Sequence, residues 1–287
     1  FRPASTGLVP STVAPDLLQP ANALIGLTAS AGIVLGPALG GGLVAALGPA
    51  GAFLVDAASF AVSAAFLLRL RVGRSAVERV RTGFLGELAV GLREVRARGW
   101  LWFTILAAGL WLFVALAPFQ ALGPIVAERE LGGAGAWGAI LAAYGVGGLV
   151  GGLVALSVQP RRRLLLAALV FPLEAPPMAL LAAVAPLPAI VVGCALAGIS
   201  FGVFEAMWST TLQEQVPDET LSRVSSVDWM GSLALLPLGY ALAGPLASAI
   251  GVPAMLWIAA AASLALPAAL LLHPGVRRLE RRPAAAG

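Results

Sequence analysis

Lysine is missing from this chain, histidine and cysteine occur once each, at His273 and Cys194, and charged residues fill only 11% of its 287 positions. A single thiol excludes an internal disulfide and a cysteine metal cluster. An ordinary soluble domain carries about 25% charged residues. With 59% hydrophobic residues, this chain has more apolar surface than one water-soluble core could hide. Period-two alternation is lacking within the apolar runs, which excludes half-buried strands. An initiator Met and a signal-peptide pattern are lacking as well; the chain starts at Phe1 and reads as a fragment of something longer.

What is present is a series of long apolar runs. A membrane-spanning helix needs about 20 mostly apolar residues, and eight stretches qualify: 23–47, 50–70, 100–126, 137–158, 164–184, 188–211, 224–250 and 254–272. Gly48-Pro49 and Pro186-Leu187-Pro188 mark tight turns between them. All 18 basic residues are Arg, and the loops sort them by side. The segments 1–20, 71–99, 159–163, 213–223 and the tail after His273, with flanking helix ends, hold every Arg but Arg129. That 17-to-1 split predicts a multi-pass protein of the plasma membrane with both ends of the chain cytoplasmic. A pI near 10.5 suggests nucleic acid at first sight. Arginines placed between membrane-length runs set topology instead, so no nucleic-acid partner is expected.

The longest loop, 71–99, separates two parts of the chain. Within it, Phe84, Leu85, Leu88, Leu92 and Val95 fall at helical spacing and predict a short amphipathic helix at the cytoplasmic surface. There is also an internal repeat. A shift of 203 positions sets Gly36 on Gly239, Gly41 on Gly244 and Gly48 on Gly251, with Val13 on Val216 and Leu18 on Leu221. Duplicated halves are common in transporters. By this logic the stretch 100–203 has its counterpart in about a hundred residues and four helices before Phe1, giving twelve helices in all. The expected divisions are 1–70, the second half of an N-terminal bundle; 71–99, a cytoplasmic central loop; 100–273, a six-helix bundle; and 274–287, a cytoplasmic tail.

These residues carry a family likeness. The run Gly32-Ile33-Val34-Leu35-Gly36-Pro37-Ala38-Leu39-Gly40-Gly41 resembles the G-x-x-x-G-P-x-x-G-G motif in the fifth helix of major facilitator superfamily exporters. The longer motif begins with a glycine nine positions earlier, where this chain has Ala23. Leu18-Gln19-Pro20-Ala21-Asn22-Ala23-Leu24 and 52–60 resemble the fifth and sixth helices of the siderophore and macrolide exporter branch. Leu212-Gln213-Glu214-Gln215-Val216-Pro217, with Arg223-Val224, resembles its loop between helices ten and eleven, and 159–163 its basic loop between helices eight and nine. The resemblance implies an all-α, polytopic bundle whose eight helices are family helices five to twelve. It implies secondary transport by alternating access, coupled to protons, of a small amphipathic molecule such as a drug, macrolide or siderophore.

Particular side chains then acquire expectations. Gly32, Gly36 and Gly40 form a smooth stripe that lets another backbone approach, and Pro37 removes a backbone hydrogen bond beside Gly41. The resemblance places this helix where two bundles meet. A second glycine cluster, Gly145, Gly147, Gly148, Gly151 and Gly152, is expected to be another close-packing face. Carboxyls inside a bilayer are costly, about 2.5–3.5 kcal/mol on insertion scales, and so call for a reason. Glu174, among Pro172, Pro176 and Pro177, is a candidate for proton or cation binding, or else a carboxyl held neutral and hydrogen-bonded. The resemblance puts its helix on the outer side of the bundle and puts Glu205 on a cavity-lining helix, so Glu205 is the leading substrate or proton residue. Trp111 and Gln120 are candidates for the cavity wall, whereas Trp100 suits the interfacial aromatic belt. Asp56 is read as structural. Asp228, near a predicted helix start, is read as a gating or structural charge able to pair with Arg223.

Two enzyme-like patterns carry no weight. Gly198-Ile199-Ser200-Phe201-Gly202 fits a nucleophile elbow but sits inside an apolar run with no His base. The glycines after Tyr144 lack the Lys-Ser/Thr of a P-loop. No cofactor is expected, and energy would come from an ion gradient. The rival readings are an importer or facilitator of the same fold, a non-transporting degenerate fragment, and a membrane enzyme.

Overall fold

In a bilayer a long apolar run satisfies its backbone by becoming a helix. A computed structural model of the chain describes residues 9–10, 12–69 and 84–281, and among the described residues there is no strand. The first helix, α1 (Leu18–Arg69), is broken once, at Gly48. Then come α2 (Phe84–Ala97), α3 (Gly99–Glu130), α4 (Ala134–Ser157), α5 (Arg163–Ala182), α6 (Leu187–Gln215), α7 (Asp218–Ile250), α8 (Val252–Leu272) and the short α9 (Pro274–Arg277). Seven helices among the described residues are long and apolar enough to cross a membrane: α3 to α8 and, within α1, Ala46–Phe66. They account for seven of the eight predicted stretches. The other, 23–47, is helical as the first limb of α1 and is not one of the seven.

Local chemistry explains the breaks. Gly48 has φ 71°, ψ 169°, and Gly251, its partner in the predicted repeat, has φ 90°, ψ 148°. Both lie in backbone space that a side chain disfavours, and each is followed within two residues by a proline that opens the next helix. In α3 a π-helical turn, Leu112–Leu116, precedes Pro118, whose ring cannot fit a regular turn. In α5 a 3-10 turn, Phe171–Glu174, sits among the three prolines, and the Val170 carbonyl takes a hydrogen bond from the Ser200 hydroxyl at 2.9 Å. The Ser200 hydroxyl of α6 thus bonds a backbone carbonyl at the start of the irregular turn.

The last two boundaries differ from expectation. The helix α7 starts at Asp218 rather than at 224, because Pro217 caps it and Asp218 and Glu219 fill the first turn, where the helix dipole favours negative charge. The helix α6 runs to Gln215. The amphipathic stretch in the central loop is helical, as α2, with Leu88, Leu92 and Val95 packed into the core of the bundle's Arg-rich end. Its Gly91 lies against the backbone carbonyl of Arg223 on α7.

Helices α3 to α8 pack around two apolar clusters. One holds Leu101, Ile105, Leu164, Trp208 and Leu212; the other holds Trp111, Phe119, Ile140, Met178 and Leu256. Lipid tails are as apolar as these side chains, so close packing supplies most of the adhesion. The tightest contact is between α4 and α6. A Cβ added to Gly147 would overlap the Ala195 carbonyl, and one added to Gly198 would overlap the Tyr144 carbonyl. The second predicted glycine cluster is therefore a face on which two backbones touch. The first limb of α1 lies on the other side of α4, with Leu27 and Ser30 against Gly152 and Gly148.

Candidate functional site

Two polar constructions stand out in this apolar bundle. The first lies at its Arg-rich end, where α1 meets α4, α5 and α6. Gln19 and Asn22, one turn apart at the start of α1, are both buried. The Gln19 amide donates to the carbonyls of Ala155, at 2.7 Å, and Val158. These belong to the end of α4, where carbonyls have no partner within the helix. The Gln19 oxygen accepts from Arg163 Nε at 2.9 Å, and Arg163 Nη1 in turn pairs with Glu214. Asn22 donates to Gln213 Oε1 at 2.6 Å and to Thr210 Oγ1 at 3.0 Å, while Gln213 returns a bond to Asn22 Oδ1 at 3.2 Å. Six polar side chains from three helices thus satisfy one another away from water, in a latch across the junction of α1 with the bundle. Beyond it, a Cβ added to Gly32, Gly36 or Gly40 would meet nothing within 4 Å among the described residues. The surroundings of Pro37 and Gly41 lie outside the described residues.

The second construction is a set of carboxyls. Glu174 on α5, Glu205 on α6 and Asp228 on α7 each lie about 15 Å from the Arg-rich end of their helix, near half the ~30 Å thickness of a hydrocarbon core. Glu174 is 2% exposed and accepts from the Tyr144 hydroxyl at 3.3 Å. Asp228 is 8% exposed and accepts from Trp208 Nε1 at 3.0 Å and Ser232 Oγ at 3.4 Å. Glu205, half-buried, lies within electrostatic range of both Tyr144 and Asp228. Alongside them runs a column of aromatic rings: Trp111 to Phe171 (5.0 Å between centroids), Phe171 to Phe204 (4.9 Å), Phe204 to Trp208 (6.4 Å) and Trp208 to Trp100 (6.2 Å).

The remaining candidates are dispersed. Trp111 is buried inside the bundle, donating to Ser263 Oγ at 2.9 Å, and Trp100 is buried against Trp208. Gln120 is exposed and accepts from the Tyr240 hydroxyl on α7. Asp56 is exposed on the second limb of α1, where its backbone carbonyl accepts from Ser59 at 2.7 Å. The expected Asp228–Arg223 pair does not form. Five residues along a helix is about 140° of rotation, so the two side chains point apart. Arg223 instead pairs with Glu87 on α2. The dipole reading of Asp228 also fails, since α7 begins ten residues before it.

Gln19, Asn22, Gln213 and Glu214 fall within the family-like segments, where the sequence alone assigns them no role. The available signal was two amides three residues apart at the head of an otherwise apolar helix. Their partners lie more than 130 residues away.

Membrane-length helices, backbone-to-backbone glycine packing and carboxyls held at mid-depth define a multi-pass membrane protein of the transporter class. The chain belongs to the Major Facilitator Superfamily, which its residues 1–233 match. It is similar to the multidrug efflux pump Tap of Mycolicibacterium fortuitum, at 31% identity over 92% of this chain and 65% of that protein. The Tap pump of Mycobacterium tuberculosis is 28% identical over 88% of this chain and 61% of its own length. An MFS-type transporter of Sinorhizobium fredii is 30% identical over 83% and 59%. The chain thus spans somewhat under two thirds of the length of each.

Proposed function

We propose that this chain works in proton-coupled export of a small amphipathic molecule across the plasma membrane, by alternating access. The observation that carries the reading is the buried latch at the head of α1, whose Gln19 and Asn22 bond its first turns to α4, α5 and α6. A junction held by buried amides is either fully bonded or hydrated, and two such states are what alternating access needs. On this reading 23–47 is an eighth crossing, the Arg-rich ends face the cytoplasm, and 100–273 is one rocking bundle. The latch then closes the cytoplasmic side of an outward-facing state.

Glu205 is the proton and substrate residue, with Glu174 and Asp228 at the same depth and Gln120 on the open face of α3. Trp111, enclosed by the bundle, packs. Export is supported by the relatives' printed role as multidrug efflux pumps. The full-length transporter in inverted vesicles, with ethidium as the probe, provides the test. Accumulation should require an imposed proton gradient, stop when nigericin collapses it, and be lost in Glu205→Gln. Accumulation that survives the collapse would refute proton coupling.

A further inference from the structure

A narrow cleft of about 170 Å³ opens between α4, α5 and α6. Its walls are apolar except for Ser200, whose hydroxyl is turned to the Val170 carbonyl. Val158, Leu166 and Met207 line its Arg-rich end; Leu173 and Ile199 line the other. The eight helical steps from Met207 back to Ile199 give it a depth of about 12 Å along α6. Val154 and Val158 are both exposed, so the cleft is open along its side.

Its Arg-rich mouth is built. The backbone N–H of Arg281 donates to the carbonyl of Arg161 at 2.9 Å, which holds these two arginines side by side. Arg161 follows Val158 by three residues, at most about 11 Å of chain, within reach of a guanidinium. Nearby, Arg162 is paired with Glu280 and Arg163 with Glu214. Four guanidiniums therefore face two carboxylates that are already engaged. Arg281 lies within electrostatic range of Glu214, but neither it nor Arg161 makes an ion-pair contact within 4 Å among the described residues, so the cluster keeps an excess of positive charge.

We infer that this cleft and its arginine pair bind one anionic phospholipid, with an acyl chain in the cleft and the headgroup phosphate on Arg161 and Arg281. An apolar slot ending beside a cluster in which four guanidiniums outnumber two carboxylates matches a lipid in both polarity and order. Arginine forks suit phosphate oxygens. The inference rests on the Arg-rich end lying at a membrane surface, and on neither transport nor its direction.

Native mass spectrometry of the full-length transporter, released from micelles with equimolar phosphatidylglycerol and phosphatidylcholine of identical chains, tests it. Two arginines at about 1 kcal/mol each predict roughly a thirty-fold preference for the anionic lipid. The double variant Arg161→Gln/Arg281→Gln should fall to near parity, whereas Arg93→Gln/Arg96→Gln, exposed charges elsewhere on the same face, should keep the preference. Val154→Trp, which fills the open flank of the cleft, should lose retention, and added glycerol phosphate should displace nothing. Equal retention of both lipids by the unmodified protein would overturn the inference. So would an equal loss in the Arg93/Arg96 variant, full retention in Val154→Trp, or displacement by glycerol phosphate.

Discussion

Replacing Gln19 by Ala removes three hydrogen bonds at once and strands their partners. Two of them cap the end of α4, through the carbonyls of Ala155 and Val158, and the third engages the charged Nε of buried Arg163. A neutral hydrogen bond contributes about 1 kcal/mol net and one to a charged group about 1.5–3 kcal/mol. The side chain therefore stabilises the latched state by roughly 3 kcal/mol, after allowing for water reaching part of the site. In an unlatched state the same groups are hydrated and the substitution costs little. Its effect falls on the equilibrium between states, which should move about a hundredfold toward the unlatched one. The assay is thiol accessibility in the full-length protein. Cys194, the one cysteine of this sequence and a buried one, and any cysteine outside it are replaced by Ser, and Ser30→Cys is introduced where α1 lies against Gly148. A maleimide added from the cytoplasmic side should label the thiol slowly in the Gln19 background. It should label one to two orders of magnitude faster in Gln19→Ala. Unchanged labelling would refute the latch. So would a variant that loses thermal stability while its accessibility stays the same, because Gln19 would then be an ordinary packing residue.

Other positions give sharper structural tests. Gly198→Ala forces a methyl into the Tyr144 carbonyl and should destabilise the bundle by about 2–3 kcal/mol, seen as a drop in the thermal unfolding temperature in detergent. Gly32→Ala adds a methyl that meets nothing within 4 Å among the described residues, and should leave that temperature unchanged while altering transport, if its stripe is used only in the opposite state. Trp208→Phe removes the donor at 3.0 Å from buried Asp228 and should cost about 1–3 kcal/mol, recovered in part by adding Asp228→Asn. Arg223→Ala breaks the pair that ties α2 to α7. Because both side chains are partly exposed, it should cost no more than about 1 kcal/mol. Its clearer readout is faster proteolysis within the central loop.

The parts of this protein legible from its sequence are those that depend on one helix at a time. Apolar length predicts the spans. Gly48 and Gly251, aligned by a 203-residue repeat of sparse identity, share a positive-φ backbone because each begins a turn that a proline completes. The glycines after Tyr144 predict a close-packing face because the absence of side chains is itself visible in the letters. Pairing between helices is another matter. Asp228 and Arg223 look like partners along the chain, but helical rotation parts them, and each finds its partner on a different helix: Trp208 on α6 and Glu87 on α2. Gln19 and Asn22 show the same limit from the other side. Neither residue type is remarkable at the head of a membrane helix, where amides commonly meet water. Only the packing of α1 onto α4 turns that boundary into an interior, and once water is excluded each amide must be fully bonded or the junction opens. The same exclusion gives the latch its leverage. A junction held by apolar contact would slide in lipid with little loss, whereas one held by buried amides and a charged pair has two discrete states, bonded or hydrated, which is what the proposed rocking motion requires.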